Sequence, residues 1–155
     1  MATANGAVAD VLARAIAAID RNLIVFSMPD TEMERSADRA GLRVLTLFLA
    51  DRAYTPKGEL VSRKLPGAVI TDIDAVRARV RQFIDDGSVT TVGGTRLPMR
   101  ARSILVHSDT PGAVALGKAV RHEVESGGGQ PPASTGQRGV GVSQLQLPFG
   151  QVHET

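Results

Sequence analysis

An acid, a guanidinium and a phenol stand together at Asp51, Arg52 and Tyr54. They directly follow an apolar run, residues 44–49, which predicts a buried strand. Ligands of α/β proteins bind at the carboxyl ends of strands, so these side chains are candidates for chemistry. Asp51 could accept a proton, hold water or orient Arg52, and the Arg52 fork suits carboxylate or phosphate oxygens. Tyr54 could donate to an oxyanion. The alternative is an Asp–Arg pair that stabilises a loop, with Tyr54 packed over the strand end.

A second polar cluster, His107 and Asp109, ends another apolar run, residues 103–107. His107 could act as general acid or base, because imidazole titrates near neutrality. Asp109 is either catalytic or the N-cap of a helix that begins near Pro111, whose free N–H groups favour an anion. Arg63 could extend the cationic surface for substrate or phosphate, or belong to a solvated loop. One His and one Asp make at most a partial metal site, so no metal site is predicted.

Hydrophobic periodicity and breakers give the elements that must position these residues. The predicted strands cover 23–26, 43–49 and 103–107, with a hairpin over 89–99 that turns at Gly93-Gly94. The predicted helices cover 6–20, 30–41 with Asp30 as N-cap and Gly41 as stop, a third that starts at Asp72 or Asp74 and ends at Gly87, and a stretch from Pro111 to about 125. Residues 50–71 are irregular. Alternating helices and strands predict an α/β fold with a parallel sheet.

Composition narrows the class of protein. The chain has 155 residues, a net charge of +2 and scattered basic residues with few aromatics, which gives no basis for a nucleic-acid interface, so none is predicted. There is no cysteine, hence no disulfide or thiolate site, in keeping with a cytoplasmic location. No secretory leader or membrane-length apolar run is recognisable, so no membrane partner is predicted.

After Glu125 the chain becomes rich in Gly and Pro, and 126–155 is predicted to be a disordered tail. Within it, 144–149 alternates like a strand or a docking peptide.

Both polar clusters lie in motifs that resemble the LamB/YcsF family, which provides the A subunit of ATP-dependent 5-oxoprolinase. The first motif is Ala-Asp-Arg-x-Tyr at 50–54, followed by Gly-x-Leu-Val-x-Arg at 58–63 and Pro-Gly-Ala-Val-Ile at 66–70. The second, Val-His-Ser-Asp at 106–109, is similar to the family's Val-His-Gly-Asp. The resemblance covers only the C-terminal half of a family member. It implies that 1–125 forms part of a seven-stranded, deacetylase-like β/α barrel, with Met1 just after the family's N-terminal motifs.

The resemblance also implies an activity: ATP-dependent cleavage of 5-oxo-L-proline to L-glutamate, with subunits B and C as partners. It assigns catalysis to Asp51, His107 and Asp109, and binding of substrate or phosphate to Arg52, Tyr54 and Arg63. ATP is the implied cofactor, and the resemblance leaves open whether a metal is required. Half a barrel has open sheet edges, so a second copy or an N-terminal half-barrel is the expected partner.

Departures from the family pattern predict reduced function. The family's strand-end Glu is Leu47, its Phe is Leu49, its Cys is Leu105 and its Gly is Ser108. We therefore expect no 5-oxoprolinase activity from the isolated chain, even with subunits B and C and ATP. The alternatives are a non-catalytic interaction module, a truncated family remnant, or sugar deacetylation by fold analogy alone.

Overall fold

The computed structural model describes residues 4–127 and the backbone of 145–146. The helices are α1 Gly6–Ile19, α2 Glu32–Arg39, α3 Ile73–Asp86 and α4 Ala113–Ser126. The strands are β1 Ile24–Ser27, β2 Arg43–Leu49, β3 Ser88–Thr90, β4 Arg96–Pro98, β5 Ser103–Leu105 and β6 Leu145–Gln146. β1 pairs in parallel with β2, and helices alternate with the strands of a sheet ordered β1-β2-β5-β6, which confirms the predicted α/β class. β3 and β4 form the predicted antiparallel hairpin.

The chain divides into two compact units. The first comprises residues 1–48 and 100–103, and the second comprises 49–99 and 104–155. The core of the first unit lies between α1, α2 and β1, where the small residues Ala9 and Ala13 are completely buried. In the second unit α3 and α4 pack against each other through buried apolar faces that include Val76, Val80, Leu116, Val120 and Val124.

The large apolar residues of α1, whose spacing predicted the helix, lie on its exposed face. Its large apolar residues Val8, Val11, Leu12 and Ile19 are exposed, and they lie on one face because their spacing follows helical turns. We call this face the α1 stripe. On the neighbouring strand β1, Ile24 and Phe26 are also about half exposed while Val25 is buried.

Helix ends follow local capping chemistry. Asp72, one of the two predicted starts, caps α3, since its Oδ1 accepts from the Ala75 N–H at 2.7 Å, and Gly87 ends that helix in the left-handed region. The predicted N-cap of α2 was wrong by one residue. Thr31 is the cap, because its hydroxyl accepts from the Glu34 N–H, while Asp30 takes a positive φ of 62°.

The predicted tail falls largely outside the described residues. Residues 128–144 and 147–155 are not among those that the structure describes, so disorder there stays a prediction, whereas Ser126 is the last residue of α4 and Gly127 is its C-cap. β6 lies in the segment 144–149, whose alternation indicated a strand or a docking peptide, and its place in the sheet is beside β5.

Candidate functional site

The Asp51 carboxylate lies at the end of β2 and is completely buried. Its Oδ2 accepts from the Thr110 hydroxyl at 2.6 Å and from the His107 backbone N–H at 3.2 Å. Its Oδ1 lies 2.9 Å from His107 Nδ1. The backbone brings these groups together, because the Ala50 N–H donates to the Leu105 carbonyl at 2.9 Å and so aligns the ends of β2 and β5.

These contacts fix the orientation and tautomer of His107. An ionised carboxylate only accepts hydrogen bonds, so Nδ1 carries a proton and points at Asp51. Nε2 is then the basic nitrogen of the neutral ring, and none of the described residues hydrogen-bonds to it. The side chain is 24% exposed, so Nε2 remains open to a reactant. The arrangement is that of a general base held by a buried carboxylate.

Tyr54 is buried in the loop that follows β2. Its hydroxyl accepts from the Leu49 N–H at 2.9 Å, and its carbonyl accepts from the Val92 N–H beyond β3. Burial raises the pKa of the Tyr54 phenol to about 12. The side chain therefore ties the loop to the strand end, as in the loop-stabilising alternative. Binding of a substrate by Tyr54 stays a prediction.

The Arg52 guanidinium is directed into the same loop. Its Nη2 donates to the Val61 carbonyl at 2.8 Å and its Nε to the Ala68 carbonyl at 3.2 Å. The residue is only 6% exposed, and burial lowers the pKa of the guanidinium. These are the contacts of a loop-stabilising arginine, and binding of substrate or phosphate by Arg52 stays a prediction.

Backbone bridges shape this loop between β2 and α3. Arg52 pairs with Val69, and Tyr54 pairs with Leu60. Between the second pair the chain turns at Gly58, whose φ of 81° is in the left-handed region that glycine adopts without steric cost. This turn returns the chain towards Arg63.

Arg63 and Asp109 form an exposed ion pair beside His107. Arg63 Nη1 donates to Asp109 Oδ2 at 2.8 Å. This hydrogen bond, together with the charge of Arg63, holds the pKa of the Asp109 carboxyl below its ordinary value. The alternative that Asp109 caps α4 is wrong, because Gly112 occupies the N-cap and no side chain caps the helix. The roles proposed for Asp109 in catalysis and for Arg63 in binding stay predictions.

Sequence reasoning missed two residues that shape the site. Thr110 appeared only as part of a helix start, yet its buried hydroxyl donates to Asp51. Arg79 on α3 donates to three backbone carbonyls around Asp51. The sequence did contain an indication of this role for Arg79. The residue lies three positions after Val76 and four before Phe83, so the helical spacing places its charge beside the buried face of α3.

Over residues 4–127 there is no group of three or more His, Asp or Glu side chains that could hold a metal ion. None of the helices described is both long enough and apolar enough to span a membrane.

Comparison with known proteins decides the family. The model of the LamB/YcsF family matches residues 1–137. The chain belongs to the LamB/YcsF family. It is 55% identical over 135 residues to the 5-oxoprolinase A subunit 1 of Bradyrhizobium diazoefficiens, covering 87% of this chain and 53% of that protein. It is 53% identical over 120 residues to the 5-oxoprolinase A subunit 2 of Agrobacterium fabrum, covering 77% and 47%.

A solved LamB/YcsF-like structure shares the fold. The lactam utilization protein from Thermus thermophilus superposes with a TM-score of 0.72 at 31% identity, over 82% of this chain and 50% of that one. The chain thus spans about half the length of its LamB/YcsF relatives. This confirms the predicted α/β fold and the predicted match to half of a family member.

Proposed function

We propose that this chain supplies the water-activating part of a 5-oxoprolinase site that cleaves 5-oxo-L-proline to L-glutamate at the expense of ATP. The observation that carries the proposal is the Asp51–His107 pair, in which a buried carboxylate holds Nδ1 and leaves Nε2 available. The relatives named as A subunits of 5-oxoprolinase support the choice of substrate. The same relatives support partnership with other subunits, for which B and C are our proposal.

The substrate explains why a general base is needed. 5-Oxo-L-proline is a five-membered lactam that carries a carboxylate, and amide resonance protects its carbonyl carbon from water. ATP supplies phosphorylation of the lactam oxygen, which makes the ring carbon electrophilic. Water is still a weak nucleophile at neutral pH, so removal of its proton during attack accelerates the reaction by about 10²–10⁴-fold.

His107 performs this proton transfer. Nε2 takes a proton from water as the water oxygen bonds to the ring carbon, and the imidazolium that forms is stabilised by the Asp51 carboxylate. The ring C–N bond then breaks as the proton passes from Nε2 to the departing nitrogen, which leaves a γ-glutamyl phosphate. A second water hydrolyses this acyl phosphate to L-glutamate and inorganic phosphate. Thr110 and the His107 backbone N–H hold Asp51 throughout, so that Asp51 orients the base and does not itself take the proton.

The Arg63–Asp109 pair offers the exposed charge beside this base. Arg63 is 46% exposed and can turn its fork to an incoming carboxylate or phosphate, since Asp109 engages it through one nitrogen. Asp109, kept ionised by Arg63, positions the guanidinium and is a poor proton donor near neutrality. Arg52 and Tyr54 keep the loop in place.

Reconstitution tests the proposal. The chain is assayed for glutamate release with subunits B and C and ATP, first alone and then with the part of the Bradyrhizobium relative that it does not match. We expect no turnover from the chain alone and ATP-dependent turnover from the reconstituted pair. His107→Ala should lower that turnover by about 10²-fold or more, as expected for loss of a general base.

The matched control is His122→Ala. His122 lies on α4, its side chain is 69% exposed, and it takes no part in the Asp51 contacts, so turnover should be unchanged. A reconstituted pair that binds subunits B and C but releases no glutamate would contradict the catalytic proposal. Equal turnover of the His107→Ala and wild-type pairs would contradict the assignment of the base.

One observation favours a second function, that of a non-catalytic interaction module. The α1 stripe exposes four large apolar side chains on one helix face, and such patches mark protein interfaces. A pull-down with subunits B and C, set beside the glutamate assay, separates the two functions. Binding that persists in the reconstituted pair without any turnover would favour the module.

A further inference from the structure

Arg79 lies in the middle of α3 and directs its guanidinium at the backbone around Asp51. Nη2 donates to the Arg52 carbonyl at 2.8 Å, and Nε donates to the Ala50 carbonyl at 3.3 Å. Nη1 donates to the Thr90 carbonyl of β3 at 3.1 Å. One side chain thus holds the carbonyl groups on both sides of Asp51 and ties them to the hairpin.

Together with backbone hydrogen bonds, the contacts of Arg79 hold the backbone at Asp51 in place. The Asp51 carbonyl accepts from the Ile70 N–H at 2.9 Å, and the Ala50 N–H donates to Leu105. Without Arg79 the carbonyls of Ala50 and Arg52 lose these hydrogen bonds, and the two peptide planes that set the direction of the Asp51 side chain are less restrained. The rigid fork of an arginine suits such a task, because its donors have a fixed geometry.

Arg79 also carries a charge in this desolvated place. Burial lowers the pKa of the Arg79 guanidinium, while the nearby Tyr54 and Asp51 oppose that shift. An arginine nonetheless stays protonated in proteins. Its positive charge therefore acts on the Asp51 carboxylate at reduced screening, in addition to the three hydrogen bonds.

We propose that Arg79 is the positioning residue that directs the Asp51 carboxylate at His107 Nδ1 and thereby selects the His107 tautomer with a basic Nε2. It acts through the backbone, by way of its hydrogen bonds to the Ala50 and Arg52 carbonyls. The inference rests on the role given to the Asp51–His107 pair in the proposed function. It extends that role to a helix that carries none of the family motifs described above.

Nitrogen-15 NMR of the imidazole rings in the full chain tests the inference without any need for turnover. Wild-type His107 should show a protonated Nδ1 and an unprotonated Nε2 in its neutral form. In Arg79→Met the ratio of the Nδ1–H to the Nε2–H tautomer should fall about three- to tenfold, the range expected for loss of one hydrogen bond. Arg79→Lys keeps the charge but not the planar fork, so the same tautomer ratio should fall by a smaller factor.

Arg77→Met is the matched control. Arg77 stands two residues earlier on α3, and its Nε donates to Glu123 on α4 at 2.7 Å, away from the Asp51 backbone. Its loss should leave the His107 tautomer unchanged. Far-UV circular dichroism checks that each variant is folded, and Arg79→Lys, which retains the stem and the charge, serves as the test if Arg79→Met does not fold.

Asp51→Asn separates the failure of this inference from that of the proposed function. If Asp51→Asn keeps the wild-type tautomer, Asp51 does not select it, and the proposed function loses its carrying observation. If Asp51→Asn loses the tautomer while folded Arg79→Met and Arg79→Lys both keep it, the inference about Arg79 is overturned. A change in Arg77→Met equal to that in Arg79→Met would also overturn it, because a general loosening of α3 would then account for both.

Discussion

At the scale of single residues, the site depends on which polar atoms face inward. Asp51 is completely buried, yet both carboxylate oxygens accept hydrogen bonds, so its burial does not leave unpaired polar atoms. The two histidines in the described residues differ in whether a buried group holds the ring. His107 is held by Asp51, whereas His122 lies on the helix surface, which makes the pair a useful contrast in experiments.

The Tyr54 hydroxyl gives a prediction with a defined pH range. Tyr54→Phe removes the acceptor of the buried Leu49 N–H, so the free energy of unfolding should fall by about 1–2 kcal/mol near neutrality. Burial raises the pKa of wild-type Tyr54 from 10.0 to about 12. The folded state therefore disfavours ionisation, and the wild type should lose stability as the pH rises from 10 towards 12.

Urea unfolding of both proteins across this range measures the effect. The stability difference between wild type and Tyr54→Phe should be constant below pH 10 and narrow above it, because only the wild type has a phenol at this position. The chain contains one tyrosine, so the difference isolates its ionisation from that of the lysines. A difference that stays constant up to pH 12 would show that the Tyr54 hydroxyl is not buried in solution.

The sequence predicted which residues stand at the strand ends, but not what their side chains contact. Asp51 and His107 are 56 residues apart, and they meet because the ends of β2 and β5 are aligned by the Ala50–Leu105 hydrogen bond. No local pattern specifies that pairing. Arg52 illustrates the same limit, since its direction is decided by a loop that returns beneath it through Val61 and Ala68.

At the scale of elements, α3 connects the site to the rest of its unit. Arg79 reaches the Asp51 backbone, while Arg77 and Arg81 reach α4 through Glu123. Glu123 is only 4% exposed and accepts from both arginines at 2.7 Å. The position of α3 relative to α4 is thus fixed by a paired buried carboxylate as well as by apolar packing.

Glu123→Gln should weaken this helix pair. Burial by itself raises the pKa of Glu123, but the hydrogen bonds and charges of Arg77 and Arg81 outweigh it and leave the pKa below the ordinary 4.5. The carboxylate therefore stabilises the fold above pH 4.5, and that contribution is lost as the pH falls through the lower folded-state pKa. We expect Glu123→Gln to lower the free energy of unfolding by about 1–2 kcal/mol at neutrality.

Urea unfolding at neutral and acid pH checks this prediction. Glu125→Gln is the control, because Glu125 forms an exposed pair with Arg121 on the same helix and should cost less than about 0.5 kcal/mol. The Glu123→Gln deficit should shrink as the pH is lowered. Equal deficits for the two variants would contradict a special role for Glu123.

Hydrophobic periodicity predicted the bounds of the helices well. In α1 it did not predict which residues are buried. The bounds of α1 agree with the predicted 6–20 to within one residue. Its buried positions are nevertheless Ala9 and Ala13, because small residues let α1 approach α2 and β1 closely. The larger apolar residues, on which the prediction of the helix was based, are exposed. Periodicity thus indicated the helix but not the face that the described structure buries.

At the scale of the whole molecule, the chain carries an apolar surface that the described residues leave exposed. The α1 stripe is 39–80% exposed, and the chain spans about half the length of its relatives. An exposed apolar face of this kind favours association with another polypeptide. It also links the two candidate functions, since reconstitution and docking both need a partner.

Charged substitutions on the α1 stripe should change association without unfolding the chain. We expect Val11→Glu combined with Leu12→Glu to reduce the mass measured by light scattering to that of one chain, 16.3 kDa, while the wild type self-associates. Thermal stability of the single chain should change little, because both side chains are exposed in the described fold.

The control is Val114→Glu on α4, an exposed apolar residue at 76% that lies outside the stripe. It should leave the mass of the wild-type assembly unchanged. A wild-type chain that is monomeric at all concentrations, or an assembly that Val114→Glu dissociates equally well, would contradict an interface at the α1 stripe.

The burial of Tyr54 has a practical consequence for studying this chain. The sequence has one tyrosine and no tryptophan, so its tyrosine emission comes from a single phenol placed between the end of β2 and the site loop. No label needs to be introduced there. Tyrosine emission will therefore report the state of the loop around Asp51, and ligands that reorder this loop can be detected by that signal before any enzymatic assay is available.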